Sequence, residues 1–195
     1  MPDSQLPLPF LNNGIAQVAL IVPNLETAVE NYSTIFGIGD WHFYTYEKPF
    51  VKKMSYHGQD SDHSFRVALG YFGSMRVELI EVQEGKTIYQ EFIDQHGYGV
   101  HHFGVLVESM EIALNQAAEA GLEMIQDGSG FGPDGDGHYA YLNTEGPLGV
   151  TIELIERPKQ RHPPEKIYPQ SKSQGKYNAN TRFKRNNSAD IETKA

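Results

Sequence analysis

This chain repeats itself, and the repeat dictates an architecture before any single motif is read. Val77-Glu78-Leu79-Ile80-Glu81 returns as Ile152-Glu153-Leu154-Ile155-Glu156. Upstream of each, residues 17–29 (QVALIVPNLETAV) align without gaps on residues 102–114 (HFGVLVESMEIAL). A folding unit built twice is the simplest source of such an echo. The alignment also pairs four metal-capable side chains, Gln17 with His102 and Glu78 with Glu153.

Each copy reads as β-α-β-β-β. In the first, residues 15–22 are apolar except for Gln17, and Pro23-Asn24 ends the strand, with Asn24 as helix N-cap. Leu25, Ala28, Val29, Tyr32, Ile35 and Phe36 then recur at helical spacing up to Gly37 or Gly39. Residues 41–46 are aromatic and β-prone, and residues 47–62 read as a loop. Residues 65–72 and 75–82 form a hairpin turning at Gly73-Ser74. Residues 84–95 bridge the halves with a short helix. In the second copy, residues 100–107 form a strand, Ser109 caps a helix ending at Gly121, and residues 122–125, 138–142 and 149–155 are strands around the glycine-rich loop 128–137. The domain organisation expected is an N-terminal extension (1–13), one domain (14–157, modules 14–83 and 99–157) and a basic, disordered tail (158–195).

Composition removes several function classes. The net charge is −9, yet it divides unevenly: 7 Lys+Arg against 22 Asp+Glu in residues 1–158, and 9 against 3 in residues 159–195. An acidic body argues against nucleic acid as partner, because phosphate binding needs clustered basic charge. No apolar run approaches the ~20 residues of a membrane span. The chain has no cysteine, so disulfides and thiolate metal sites are excluded. Met1 to Phe10 lacks the basic start and apolar stretch of a signal peptide, and a cytoplasmic location is expected.

Strand alternation sorts the polar residues of each echo. Glu81 and Glu156 lie three residues beyond Glu78 and Glu153 and face the other side. His101 points away from His102. What remains is Gln17, Glu78, His102 and Glu153, an N/O set suited to Zn, Fe, Mn, Co, Ni or Mg. Two glutamates flanked by apolar residues are costly to bury unless neutralised or coordinated. Trp41, Phe43, Tyr44, Tyr46 and Phe50 either line an apolar pocket or build core and a dimer face. His42, His57 and His63 read as solvent-exposed loop histidines, and Lys52-Lys53 as a solvated pair.

Residues 14–157 resemble the vicinal oxygen chelate (glyoxalase/bleomycin resistance/dioxygenase) superfamily, above all its methylmalonyl-CoA epimerase and glyoxalase I-like branch. The carrying segments are 15–25, Val77-Glu78-Leu79-Ile80, Gly99-Val100-His101-His102-Phe103 and Gly149-Val150-Thr151-Ile152-Glu153-Leu154. The resemblance implies an α+β fold in which two βαβββ modules form an open, cup-shaped mixed sheet around one divalent metal ion. It implies Gln17, Glu78, His102 and Glu153 as ligands, and a homodimer. It departs from the epimerases at Gln17, where they carry His, and in residues 65–76, which contain no acid.

The activity expected is that of a metal-dependent isomerase, epimerase or lyase acting on a small carbonyl or thioester substrate through an enolate or enediolate. The base is Glu153, with Glu78 second. The alternatives are a metal-free small-molecule binding or resistance protein on the same fold, and an Fe(II) dioxygenase, which Gln17 disfavours.

Overall fold

The computed structural model describes residues 8–169. Its elements are β1 (Gln17–Ile21), α1 (Leu25–Phe36), β2 (Trp41–Tyr46), β3 (Lys53–Tyr56), β4 (Gln59–Asp60), β5 (Ser64–Phe72), β6 (Met75–Glu84), α2 (Ile88–His96), β7 (Gly99–Leu106), α3 (Met110–Glu119), β8 (Met124–Ser129), β9 (His138–Leu142), α4 (Glu145–Leu148), β10 (Thr151–Glu156) and β11 (Lys166–Tyr168). A 3-10 turn over Pro9–Asn13 precedes β1.

All the strands join one mixed sheet in the order β11-β2-β5-β6-β1-β7-β10-β9-β8-β3-β4. Its centre is the antiparallel pair β1 and β7, the first strand of each copy. From there each copy runs outward by one rule: first strand, last, third, second. The first-to-last pairing is parallel in both, β1 with β6 and β10 with β7. The two modules therefore share one topology about a local pseudo-twofold.

The sheet is strongly curled. Tyr46 on β2 and Tyr139 on β9 are separated by five intervening strands, yet their rings are 5.8 Å apart. Six strand steps across a flat sheet would hold them about 29 Å apart at about 4.8 Å each. The inner face of this half-barrel is an aromatic core that includes Tyr44, Phe65, Tyr89, Tyr139 and Tyr141. The outer face carries two repeat-related cores. α1 packs Leu25 and Val29 with Trp41, Phe43 and Leu79, and α3 packs Met110, Ala113 and Ala117 with Leu142 and Leu154. The aromatic strand β2 thus divides by alternation: Trp41 and Phe43 are outer core, Tyr44 and Tyr46 inner.

The helices begin where the sequence places them. Asn24 Oδ1 accepts from Thr27 N at 2.8 Å, and Ser109 Oγ from Ile112 N at 3.4 Å. The second glutamate of each echo completes these starts. Glu81 accepts from Leu25 N at 2.9 Å, and Glu156 from Met110 N at 2.6 Å. Each satisfies an orphan N–H at the positive end of its helix.

Two expectations need correction. Residues 47–62 are not a plain loop, because β3 and β4 form a hairpin, and β3 pairs with β8 of the other module. This insertion extends the far edge of the sheet, whose unpaired N–H and C=O groups invite a strand. Likewise residues 158–169 do not belong to an unstructured tail. β11 pairs with β2 at the opposite edge. The strap leading to it is tied at Lys159 N, which donates to Asp136 Oδ2 at 2.8 Å, and at Glu165, which accepts from Thr45 N at 2.7 Å. The remaining tail residues, 170–195, lie outside the described residues. No helix among the described residues is long and apolar enough to cross a membrane.

Candidate metal centre

The pseudo-twofold brings all four residues singled out by the repeat to the inner face at the β1/β7 seam. Ala19 lies opposite His102 and beside Glu78; Gln17 lies opposite Gly104, which lies beside Glu153. Glu78, His102 and Glu153 form a group that can hold a metal ion, each offering one donor atom, all within 4.8 Å of one another. It is the only such group found among the described residues. His102 Nε2 is 3.3 Å from Glu78 Oε2 and 3.2 Å from Glu153 Oε2, with side-chain exposures of 0%, 12% and 6% for His102, Glu78 and Glu153.

A gap in the backbone lets these groups meet. Gly104 occupies the place that Ala19 holds in the first copy. A Cβ on Gly104 would lie 2.9 Å from Gln17 Cβ, 2.8 Å from Ile155 Cδ1 and 3.1 Å from Glu153 Oε2. The bare glycine is what allows Gln17 and Glu153 to close on the same point.

Alternation fails at His101. The pairing of β1 and β7 shifts register between Ala19 and Leu20, so His101 is the extra residue of a β-bulge. Such a bulge re-aims its side chain. His101 is buried, and its Nδ1 lies 2.9 Å from Nδ1 of His102. Burial, then the neighbouring His102, holds the His101 pKa well below the usual value. Burial opposes charge on His102 too, but Glu153 and Glu78 beside it push its pKa up to about 9. His101 therefore serves as the neutral acceptor of the His102 Nδ1 proton. That contact fixes the tautomer and turns Nε2 to the carboxylates, the arrangement a ligating histidine needs.

Gln17 stands with the group in one defined orientation. Its Nε2 donates to Glu78 Oε2 at 2.9 Å and to Glu153 Oε2 at 2.8 Å, and lies 3.4 Å from His102 Nε2. Its Oε1 accepts from Arg76 Nε. The guanidinium can only donate and the carboxylates only accept. Turning the amide over would set donor against donor and acceptor against acceptor. As a donor set Glu78, His102 and Glu153 fit a divalent ion, whereas Gln17 presents its nitrogen to the site and its oxygen to Arg76.

The two glutamates differ. Glu153 is tied at both oxygens, Oε2 by Gln17 and Oε1 by the Tyr141 hydroxyl at 3.1 Å. Tyr141 in turn meets Tyr89 O to O at 2.6 Å. Burial, then Glu153, raises the Tyr141 pKa well above the usual value, so it remains a neutral donor. Glu78 uses Oε2 alone, and among the described residues its Oε1 has no partner. A cavity opens above, lined by Glu78, Arg76, Tyr46, Phe131 and Arg161, with free room of about 30 Å³. That holds a water-sized group.

His42, His57 and His63 do not converge. His57 meets Glu91, while His63 is buried against Ser61 rather than exposed as the sequence suggests. Arg76, Tyr141 and Arg161 were not anticipated. Arg76 was legible, since it lies two residues before Glu78 on the same strand face. Tyr141 carries no signal in the sequence beyond its strand, and Arg161 falls in the segment whose composition suggested disorder.

A family model described as Glyoxalase/Bleomycin resistance protein/Dioxygenase superfamily matches residues 16–141. An uncharacterized Bacillus subtilis protein, YqjC, is 23% identical over 150 residues, covering 77% of this chain and 96% of that protein. Among solved structures, a hypothetical protein from Bacillus halodurans is similar at TM-score 0.53 and 20% identity, covering 76% of this chain and 96% of the other. Methylmalonyl-CoA epimerase from Mycobacterium tuberculosis is similar at TM-score 0.56 and 19% identity, covering 75% and 89%. A methylmalonyl-CoA epimerase in complex with methylmalonyl-CoA and ammonium gives TM-score 0.56 at 17% identity, covering 76% and 97%. At these identities the likeness to the solved structures is one of fold.

Proposed function

The chain belongs to the glyoxalase/bleomycin resistance protein/dioxygenase superfamily, and on that premise we propose that it is a divalent-metal-dependent isomerase, epimerase or lyase. Its substrate is a small carbonyl or thioester compound that loses a proton from the carbon next to the carbonyl. The observation that carries this reading is the convergence of Glu78, His102 and Glu153 in one group beneath a cavity.

Glu78, His102 and Glu153 would hold the ion, which is one that accepts N and O donors: Zn, Ni, Co, Mn, Fe or Mg. When bound, it supplies Lewis-acid stabilisation of the oxyanion that develops as the carbon-bound proton leaves. His102 would offer Nε2 once the proton that Glu153 and Glu78 favour on that ring is displaced by the ion, with its Nδ1 against Nδ1 of His101. Glu153 is held in place by Tyr141. Glu78 is the better base, because its Oε1 is unpartnered and borders the cavity, within reach of a substrate proton. That reverses the order expected from the sequence, where Glu153 comes first. Gln17 joins the ligands only if its amide turns over against Arg76.

The test is hydrogen exchange in D2O over 2-oxo acids, hemithioacetals and acyl-CoA thioesters; the last are included because an epimerase of like fold is held with methylmalonyl-CoA. The wild type is expected to exchange the proton beside the carbonyl of at least one class, and Glu78→Gln to slow this about a hundredfold or more. No exchange with any class contradicts the reading. The Gln17 orientation favours a second reading, a metal-free binding protein in which the amide NH2 takes the place of a cation between the carboxylates. Metal analysis of the purified protein separates the two. A homodimer is part of the proposal and is checked by light scattering.

A further inference from the structure

Four arginines lie among the described residues, and only Arg66 is in an ion pair there, with Glu26 and Glu81. Arg76 and Arg161 line the cavity above the candidate metal centre. Arg157 stands close behind: its pKa is lowered by burial first and then by its neighbours Arg76 and Arg161. In an acidic protein this is a marked concentration of positive charge, set beside Glu78 and Glu153 on the same cavity wall.

Arg76 is the informative member. It is 5% exposed, and burying a guanidinium without a counter-charge is costly. Its Nε is engaged by Gln17 Oε1. Its terminal nitrogens are not among the buried polar atoms left without a partner, and the side chain borders the cavity. Glu78 and Glu153 are not its counter-ions, since neither forms an ion pair with it, and both already meet His102. Arg161 approaches from the strap. Its neighbours hold it there: Lys159 N is bound to Asp136, and the His162 ring lies 5.1 Å from that of Phe50.

We propose that Arg76 and Arg161 form an anion subsite, and that the substrate is a small carbonyl compound bearing a carboxylate, held by the two guanidiniums beside the group that would carry the chemistry. The proposal rests on the small-carbonyl reading above. Guanidinium forks match carboxylates in shape and hold them by charge-assisted hydrogen bonds. Tyr46 and Phe131 supply apolar walls for the rest of the molecule. The free room of about 30 Å³ is less than a three-carbon acid needs, so binding displaces the exposed Arg161 side chain and then draws it onto the ligand.

The experiment is calorimetric titration of the full chain with pyruvate, 2-oxobutyrate and malonate, each against its neutral amide. Arg161→Gln and Arg161→Lys are the variants, chosen because Arg161 is exposed and its loss leaves the core intact. At least one acid is expected to bind about tenfold or more tightly than its amide, the scale of a hydrogen bond to a charged group. Arg161→Gln should remove that preference, and Arg161→Lys should keep part of it. Acid and amide binding alike, a preference unchanged in Arg161→Gln, or no binding by any acid would overturn the proposal. Metal content is measured on the same samples. A metal-free protein that still selects acids through Arg161 sinks the metal reading and leaves the anion subsite standing. A metal-loaded protein that ignores the carboxylate does the reverse.

Discussion

The two modules share a strand order, helix caps and a glutamate at the same place in the last strand, yet they furnish the site unequally. Around the seam, Gln17 faces His102 across the pseudo-twofold, Arg76 corresponds to Thr151, Ala19 to Gly104, and Leu69 to Tyr141. The second module supplies the imidazole, the glycine that opens the backbone and the tyrosine that fixes its glutamate. The first supplies an amide pinned by arginine and a glutamate with one free oxygen. A duplicated scaffold gives equivalent positions, and here they are made different: one carboxylate is held at both oxygens, the other at one.

The largest break in that comparison is expected from exchanging each glutamate for glutamine. Glu78→Gln should cut exchange about a hundredfold or more while metal stays bound, whereas Glu153→Gln should lose the metal as well. Equal effects on metal and rate in both variants would mean that the asymmetry has no catalytic consequence.

Next in size is an acid sensitivity to which His63 of the first module contributes. His63 is buried, its Nε2 has no partner, and burial, then the Lys48 charge, opposed in part by Asp127 and Asp62, lowers its pKa to about 4. Because the folded pKa lies below the unfolded 6.5, the unfolded chain binds the proton first. The contribution of His63 is therefore complete above pH 6.5 and is lost as pH drops from 6.5 through about 4. Denaturant melts at pH 7 and pH 4.5 should show this loss in the wild type and a smaller one in His63→Leu.

A backbone exchange sharpens the contrast at the seam. Gly104→Ala places a methyl against Gln17 and Ile155 and should cost about 2 kcal/mol by overpacking. Ala19→Gly, at the matching site, should cost about 1 kcal/mol or less. Equal costs would remove the argument for an opened backbone. The smallest effects are expected where the modules agree. Glu81→Gln and Glu156→Gln each weaken one helix start and should cost about 1 kcal/mol apiece, Glu81→Gln slightly more because it also loses its pair with Arg66.

What could be read from the sequence follows from what repeats. Topology, both caps and the meeting of Gln17, Glu78, His102 and Glu153 rest on periodicity and self-similarity, which are local or pairwise properties of the chain. His101 was misread because a bulge breaks the alternation on which the reading relied, and nothing in the run Val100-His101-His102 announces one. The β3–β4 hairpin and β11 escaped because their strands are short and polar, and are stabilised by sheet edges supplied from elsewhere in the chain. The orientation of the Gln17 amide is set by Arg76 and two glutamates together, a three-body relation that no spacing encodes. Glu81 and Glu156 face outward, as alternation requires, and their repetition carries the sign of a shared task at the helix starts.

The most direct test of the account is elemental analysis of the purified wild type beside His102→Ala. The account predicts about one divalent ion per chain in the wild type and its loss in the variant. A wild type without stoichiometric metal, or a His102→Ala protein that retains it, would contradict the claim that the two modules meet at a metal centre.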